Sequence, residues 1–491
     1  MRLLMELRPA LEGFAGIPQE TRLLFAFLQS PEKNIQVDGL LNTYRTPYRA
    51  RYTREEPIFR TYEQAKYVLE VYDPWEPESR AARFAFYPRR LMRHGFHAFK
   101  STLGFDFKLL PFEANLFPDF IWQKVFSKTL PPEAFTNVMA RSYFMNTLGW
   151  YEMHRAGTLT AVYPQLNTQD WDFVLMQTPF PGRVSKNSLL LIRYHDAIPL
   201  YLPQHISNPR RHMSNHFHAL KMNAKFARFV CTSAPVMNDL LRLLPELEGR
   251  ATVIPDVVSD AYFPEKVPQP EITDLIWRNI APETAPKFTN SQEKSEFHRK
   301  IQETNTYLLA VGTVEPRKNY SRLLSAWQEL YASTAGAIKL ILVGDLGWKL
   351  DRQGEHRMML GWEERGALFH LTHVPTAALR KLYSNALAVV CPSVSEGFDY
   401  SGVEAMRCNT TVIASDIAAH RSVYQDAALY FNPYSVSDLA KLIKLVLGQK
   451  EVDEHRMLLL KKGREVGAKY SADAVIPQWH SYLASLQAQR C

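Results

Sequence analysis

Two carboxylates, Glu396 and Glu404, stand with seven residues between them in the run Cys391-Pro392-Ser393-Val394-Ser395-Glu396-Gly397-Phe398-Asp399-Tyr400-Ser401-Gly402-Val403-Glu404. A buried strand ending at Cys391, a loop holding Glu396 and a helix starting near Ser401 would carry both to one sheet edge. The amides and positive dipole end of a helix start make a ready phosphate site. Carboxylates on either flank can accept hydrogen bonds from hydroxyls, an arrangement that suits a nucleotide-sugar, with ribose on one side and hexose on the other. Ser401-Gly402-Val403-Glu404 also reads as a capping box, in which Glu404 would only satisfy an amide. The spacing leaves both readings open, whereas Glu396 in its loop has no comparable structural task. Upstream, Val311-Gly312-Thr313-Val314-Glu315-Pro316-Arg317-Lys318-Asn319 sets adjacent cations after another strand. Arg317 and Lys318 could neutralise a departing diphosphate without a metal ion; a solvated pair in a turn is the plainer alternative.

Positioning such groups takes a large scaffold. The 491 residues are 46% hydrophobic, 22% charged and 12% aromatic, which excludes a disordered, collagenous or disulfide-stapled chain and predicts at least two domains. Arg2–Leu7, Trp171–Gln177, Ser188–Tyr194, Phe229–Thr232 and Ala251–Ile254 read as strands. They alternate with helices over Thr21–Leu28, Arg210–Phe226 and Pro235–Leu244. A second series begins with strands at Tyr307–Val311, Lys339–Val343, Ala386–Cys391 and Thr411–Ala414, with helices at Tyr320–Tyr331, Thr376–Ser384, Gly402–Cys408 and Val436–Leu447. The fold class is therefore α/β, two doubly wound Rossmann-like domains facing a cleft, where ligands of such sheets bind. The expected division is an acceptor domain over 1–262 with a Tyr/Arg-rich insertion, a Pro-rich linker over 263–305, a donor domain over 306–470, and a last helix over 471–491 that crosses back.

The Glu396/Glu404 pair, preceded by Glu315-Pro316-Arg317-Lys318-Asn319, resembles the signature of the retaining family 4 glycosyltransferases of GT-B fold. The resemblance extends through Val412-Ile413-Ala414-Ser415-Asp416-Ile417 and Ala427-Ala428-Leu429-Tyr430-Phe431-Asn432-Pro433. It implies that Arg317 and Lys318 hold the donor diphosphate, Glu396 the sugar hydroxyls and Glu404 the ribose, with Gly397, Phe398, Asp399, Tyr400 and Ser401 along the donor's path. Thr313 stands where many members carry Arg, and Asp399-Tyr400-Ser401 replaces the commoner Gly-Leu-Pro. In the first half, Glu12-Gly13-Phe14-Ala15-Gly16-Ile17 is similar to the family's loop facing the donor phosphates, which places Gly16 there. Arg193-Tyr194-His195-Asp196 resembles the family's His-Asp motif, which implies that His195 reaches the transferred sugar or its phosphate. Such enzymes are typically metal-independent and need no cofactor beyond the donor. In style the match is nearest to bacterial mannosyl- or rhamnosyltransferases of surface polysaccharide assembly, with GDP-mannose the first-choice donor and a glycan or lipid-linked glycan the acceptor. A nucleotide-sugar 2-epimerase and a non-catalytic basic binding protein are the alternatives.

The net charge is +8, and residues 45–100 alone hold 12 basic against 7 acidic side chains. This insertion carries Arg45, Arg49, Arg89, Arg90 and Arg93 among aromatic residues. These five are candidates to touch the acceptor or an anionic membrane surface; no nucleic-acid-binding motif accompanies them. A short charged start and the lack of a long apolar run predict a cytoplasmic protein, peripheral on the inner face of the cytoplasmic membrane. His212, His216 and His218 have no acidic or thiol ligand close by and read as packing or surface residues, with no metal site expected. Cys231 and Cys391 close apolar strands and read as core.

Overall fold

The computed structural model describes residues 1–490 apart from 15, 45–55, 74–91, 93–94, 98, 161, 304–305, 348–354 and 449–453. Among the described residues the first sheet has eight strands: β1 (Arg2–Glu6), β2 (Gln36–Leu41), β3 (Leu109–Phe112), β4 (Tyr143–Asn146), β5 (Phe173–Met176), β6 (Leu189–Tyr194), β7 (Arg228–Cys231) and β8 (Ala251–Val253). Their order is 8-7-6-5-1-2-4-3, and every pairing is parallel except β3 against β4. The second sheet is wholly parallel: β9 (Tyr307–Val311), β10 (Lys339–Val343), β11 (Leu368–Leu371), β12 (Ala388–Cys391), β13 (Val412–Ser415) and β14 (Ala428–Phe431), in the order 11-10-9-12-13-14. Continuous apolar runs such as Phe173-Val-Leu-Met176 and Ala388-Val-Val-Cys391 are buried at every position, as strands covered by helices on both faces require. Among the parallel strands of each sheet the chain order reverses once, between β1 and β5 and between β9 and β12. At such switch points the loops diverge and leave a crevice.

Six helices matter for the site. α1 (Ile17–Leu28) follows β1, and α2 (Pro57–Tyr72) lies in the insertion. α3 (Gln269–Asn279) and α4 (Ser291–Gln302) fall within the stretch read from sequence as a linker. They are folded parts of the second domain: Ile272, Ile276, Phe297 and Ile301 enter its core, and Ala281 donates its amide to the His370 carbonyl at the β11 edge. Pro270 sits in the first turn of α3, where a missing amide costs nothing, so the prolines punctuate helices rather than exclude them. α5 (Tyr400–Arg407) begins two residues before the expected start, and α6 (Ala472–Ala488) closes the chain.

Although α6 follows the second domain, it packs on the first. Val475, Trp479 and Leu483 join Leu3, Met5 and Leu24 in one core, and the His480 ring contacts the Leu28 carbonyl oxygen at 2.9 Å. Trp479 is fully buried. Its replacement in Trp479→Ala should cost about 3–5 kcal/mol, measured by urea denaturation. A loss below about 1 kcal/mol would mean that α6 does not secure the first domain.

Candidate active site

The loop after β1 opens the cleft on the first-domain side. A short 3-10 turn (Arg8–Leu11) leads into Gly13 and Gly16, both at positive φ. Gly16 caps α1 at φ +67°, a conformation that side chains other than glycine's rarely adopt. Beneath this loop lies Arg22 of α1, which sequence reading missed. Its fully buried guanidinium donates to the carbonyls of Ala10 (2.6 Å), Glu12 (2.8 Å), Gly13 (2.9 Å) and Val125 (2.6 Å) and to the Thr129 hydroxyl. Burial pulls its pKa down to about 9. Five oxygens thus hold the loop after β1 and the helical turn Phe120–Phe126 in one arrangement.

On the facing domain, Pro316–Lys318 forms a single turn closed by Asn319 in the left-handed conformation (φ +58°). The Asn319 amide donates to the carbonyls of Pro392 (3.0 Å) and Pro433 (2.9 Å), which fastens the Arg317–Lys318 turn to the loops after β12 and β14. The sequence-predicted cations and Glu396 then meet directly. Arg317 reaches Glu396 at 2.6 Å and Glu315 at 2.6 Å, while Lys318 reaches Glu396 at 2.8 Å and Asp399 at 3.5 Å. The Ser393 hydroxyl donates to the same Glu396 oxygen that Lys318 approaches. Burial favours the neutral acid, but Arg317 and Lys318 outweigh it and leave the Glu396 carboxyl below its ordinary value. Burial likewise opposes Asp399, yet Lys318 and His420 hold it well below the usual range. In return, despite burial, Lys318 is raised by Asp399 and Glu396, and Arg317 by Glu396 and Glu315.

Glu404 is not a capping residue. α5 starts at Tyr400 with Asp399 as its N-cap, and the Glu404 carboxylate accepts from the Gln19 side chain of α1 at 3.0 Å and the Tyr383 hydroxyl at 2.9 Å. Burial raises its pKa. It borders a cavity of about 150 Å³ between the domains, whose wall includes Gly13, Phe14 and Lys128 on one side and Gly312, Thr313 and His373 on the other. The Phe14 and His373 rings meet edge to face across the cleft at 5.8 Å.

The domains touch at Gly397. A Cβ there would fall 1.9 Å from the His195 carbonyl oxygen, and the Ser233 hydroxyl donates to the Gly397 carbonyl at 2.8 Å. His195 itself is partly buried, and desolvation drops its pKa to about 4, so the ring is neutral at pH 7. Its Nδ1 lies 3.9 Å from Glu20, which shares the Arg193 guanidinium with Asp256 (2.7 and 2.5 Å). Burial holds the Glu20 carboxyl well above its ordinary value against the pull of Arg193, and Asp256 adds to the rise. Donor atoms of Glu20, His195 and Asp256 lie within 4.8 Å of one another, but the Arg193 guanidinium already serves the two carboxylates as their cation.

Three of the residues expected along the donor's path have their side chains engaged within the protein. The Phe398 ring packs on Tyr400 and Tyr470 in the core, Tyr400 is buried towards Asp256, Glu20 and Arg193, and the Ser401 hydroxyl is bonded to Asp399. Only their backbone remains for a ligand, because the helix start faces inward here. Arg45, Arg49, Arg89, Arg90 and Arg93 lie outside the described residues. His216 approaches the Tyr194 hydroxyl at 3.4 Å, which is packing.

Paired switch points with a cation–carboxylate cluster between them define the class: the fold is GT-B, two Rossmann-like domains facing a cleft. Residues 291–466 match the family model for Glycosyl transferases group 1. O-antigen chain mannosyltransferase RfbU of Salmonella typhimurium is 34% identical over 158 residues, covering 32% of this chain and 42% of that protein. O-antigen chain mannosyltransferase B of Escherichia coli is 33% identical over 168 residues, 34% of this chain and 42% of its own length. The match thus spans about two-fifths of the length of these curated relatives. Sucrose-phosphate synthase from Thermosynechococcus elongatus superposes with a TM-score of 0.57 at 16% identity over 99% of both chains. Anabaena HepE in complex with UDP superposes with a TM-score of 0.53 at 13% identity, again over 99% of each. At these identities the superpositions concern the fold alone.

Gly397→Ala should force the junction apart, at a cost of about 1–3 kcal/mol, with a larger radius of gyration by small-angle scattering and an unchanged circular dichroism spectrum. An unchanged radius would show that the contact tolerates a Cβ. Because Glu396 and Asp399 titrate below their ordinary values, their stabilisation is complete above the unfolded carboxylate value of about 4. It drains as pH falls through the lower folded values. Asp399→Asn should therefore flatten the acid side of a Tm-against-pH profile, and an acid limb identical to that of the parent would contradict the ion-pair assignment.

Proposed function

We propose that the protein is a retaining, metal-independent glycosyltransferase that moves a hexose from a nucleotide-sugar to a saccharide or lipid-linked acceptor in polysaccharide assembly. Mannose is the first choice of sugar and GDP-mannose the first choice of donor, supported by the names of the curated relatives. The observation that carries the reading is the Glu396 carboxylate held between Arg317 and Lys318, on strand-end loops that meet His195 at Gly397 and face Gly13 across the interdomain cavity.

In the resting site Glu396 bridges both cations, with Glu315 and Asp399 as their second partners. A donor diphosphate brings its own negative charge, so its oxygens take over Arg317 and Lys318, and the carboxylate turns to accept hydroxyls of the sugar. The first amides of α5 and the Gly16 loop add fixed dipoles toward the phosphates. During transfer the bond from the anomeric carbon to the diphosphate oxygen breaks. A bond from the acceptor oxygen forms on the same face, and the acceptor's proton passes to the departing diphosphate. Arg317 and Lys318 stabilise the charge that develops on the leaving group, the work a metal ion does elsewhere. His195, neutral at pH 7, is suited to a hydrogen bond with the sugar rather than to carrying charge. The junction at Gly397 keeps water from the activated donor. A lipid-linked acceptor is presented at a membrane, and the cation excess of residues 45–100 supports peripheral attachment to an anionic inner face.

Lys318→Ala and Glu396→Ala should each lower turnover by roughly 10²-fold or more with the fold intact. The check is product formation from GDP-mannose and a saccharide acceptor, alongside thermal melting. Near-normal turnover in both variants would overturn the assignment.

A further inference from the structure

We infer that His420 is a positioning residue: as an imidazolium it cancels the charge of Asp399 and so frees Lys318 for the donor diphosphate. The inference rests on the proposed transfer reaction. Asp399 is an unusual occupant of its place. It caps α5 at φ +69°, where a side chain brings backbone strain that glycine would avoid. Its buried carboxylate is tied on both oxygens. One accepts from the Ser401 hydroxyl at 2.9 Å and lies 3.5 Å from Lys318, and the other faces the His420 Nε2 at 3.0 Å. Strain maintained in this way beside a functional cluster points to a role there.

The partners of His420 fix its protonation. The ring belongs to the short helix Ala418–Tyr424 and is fully buried. Its Nδ1 stands 2.9 Å from the Ser415 carbonyl oxygen, which can only accept. The Ser415 hydroxyl is also near, at 3.1 Å, but its proton goes to the Ser393 carbonyl. Nδ1 therefore faces acceptors and carries a hydrogen. Nε2 faces Asp399, whose carboxyl is held well below the usual range, against burial, by Lys318 and by the ring. Nε2 thus carries a hydrogen as well, and a histidine that donates from both nitrogens is a cation. The ring stacks on Tyr424 at 5.0 Å, and the Tyr424 hydroxyl donates to the Asp399 carbonyl at 3.0 Å. Among the described residues Asp399 is the one charged side chain that pairs with the ring; the neighbouring Arg421 is exposed and bonded to Asp416.

The consequence falls on Lys318. Its ammonium has two carboxylate neighbours, Glu396 at 2.8 Å and Asp399 at 3.5 Å. In the proposed reaction Glu396 turns to the sugar hydroxyls. Asp399 cannot follow, because Ser401, His420 and its own backbone hold it. Left uncompensated, it would keep the charge of Lys318 for itself and repel a diphosphate at the start of α5, where water is too scarce to screen like charges. A cation on its far oxygen cancels that repulsion and leaves Lys318 with positive charge toward the cleft. The same network reaches Glu396: Ser393, which accepts from Ser415, donates its own hydroxyl to that carboxylate at 2.7 Å. His420 is buried away from any ligand and acts through Asp399.

Two measurements on the full chain test this. With histidine-selective nitrogen-15 labelling at pH 7, the ring signals that vanish in His420→Phe should show both nitrogens protonated. Titration calorimetry with GDP, and in parallel UDP, then reads affinity for the diphosphate apart from transfer. His420→Phe should weaken binding of the better-bound diphosphate by about tenfold or more, because Asp399 is left uncompensated. Asp399→Gly/His420→Phe should recover most of that loss and melt higher than the single variant. A merely structural role for the ring predicts the reverse, since the double variant lacks more contacts. If His420→Phe alone does not fold, a folded double variant that binds the diphosphate supports the same conclusion. A neutral ring, parent-like affinity in His420→Phe, or a double variant that binds no tighter than the single or fails to fold would each overturn the inference and leave the proposed function standing. A parent that binds neither diphosphate would instead overturn the proposed function, and with it the donor's part in this inference.

Discussion

The site turns on a buried carboxylate compensated by two cations. Glu396 sits 2.6 Å from Arg317 and 2.8 Å from Lys318, and Glu315 and Asp399 give the two cations a second carboxylate each. Removing charges from water costs several kcal/mol each, and only close opposite partners offset it. The surrounding architecture serves that demand. Asn319, in the left-handed conformation, ties the cationic turn to two neighbouring strand-end loops, and Asp399 with His420 balances the outer side of Lys318. In the proposed reaction a donor diphosphate takes the place of the Glu396 carboxylate as the partner of both cations.

The first domain meets this cluster with polar groups of a different kind. Its loop after β1 is set by one guanidinium surrounded by carbonyls, Arg22, and its junction by another shared between two acids, Arg193. Asp256 lies in the segment that leaves the first domain, Glu20 in α1, and Tyr400 at the start of α5. The acid pair therefore links both domains and the connection between them. Backbone contact at Gly397 and His195 completes the closure, and α6 returning under Trp479 fixes the first domain from the far end of the chain.

Much of this could be read from sequence because parallel strands buried on both faces leave unbroken apolar runs. Tyr307–Val311 and Lys339–Val343 form with the bounds the sequence suggests, and the loops that follow them carry the site. The meeting of Arg317 and Lys318 with Glu396 was legible because each lies in the loop that follows a buried strand, Tyr307–Val311 for the cations and Ala388–Cys391 for the carboxylate. What failed to show has physical reasons. The prolines of residues 264–286 mark helix starts and turns, yet in sequence they look like breakers of any helix. Phe120–Phe126 winds with a π-helical period, so no 3.6-residue pattern betrays it. Arg22 resembles any solvent-facing arginine until the carbonyls around it are known. Glu404 read equally well as a cap and as a ligand, and a helix start displaced by two residues removes the first reading by turning Ser401 from the cap into the first turn. Phe398 and Tyr400 face inward for the same reason, since the true cap is Asp399 at φ +69°.

The account comes down to whether two cations and a carboxylate, with no metal ion, transfer a sugar with its anomeric configuration kept. The most direct measurement is proton NMR of the product formed from GDP-mannose and a saccharide acceptor in the presence of excess chelator. An α-linked mannoside formed at an undiminished rate is the result this arrangement predicts. A β-linked product, or transfer that stops when divalent ions are removed, would contradict it.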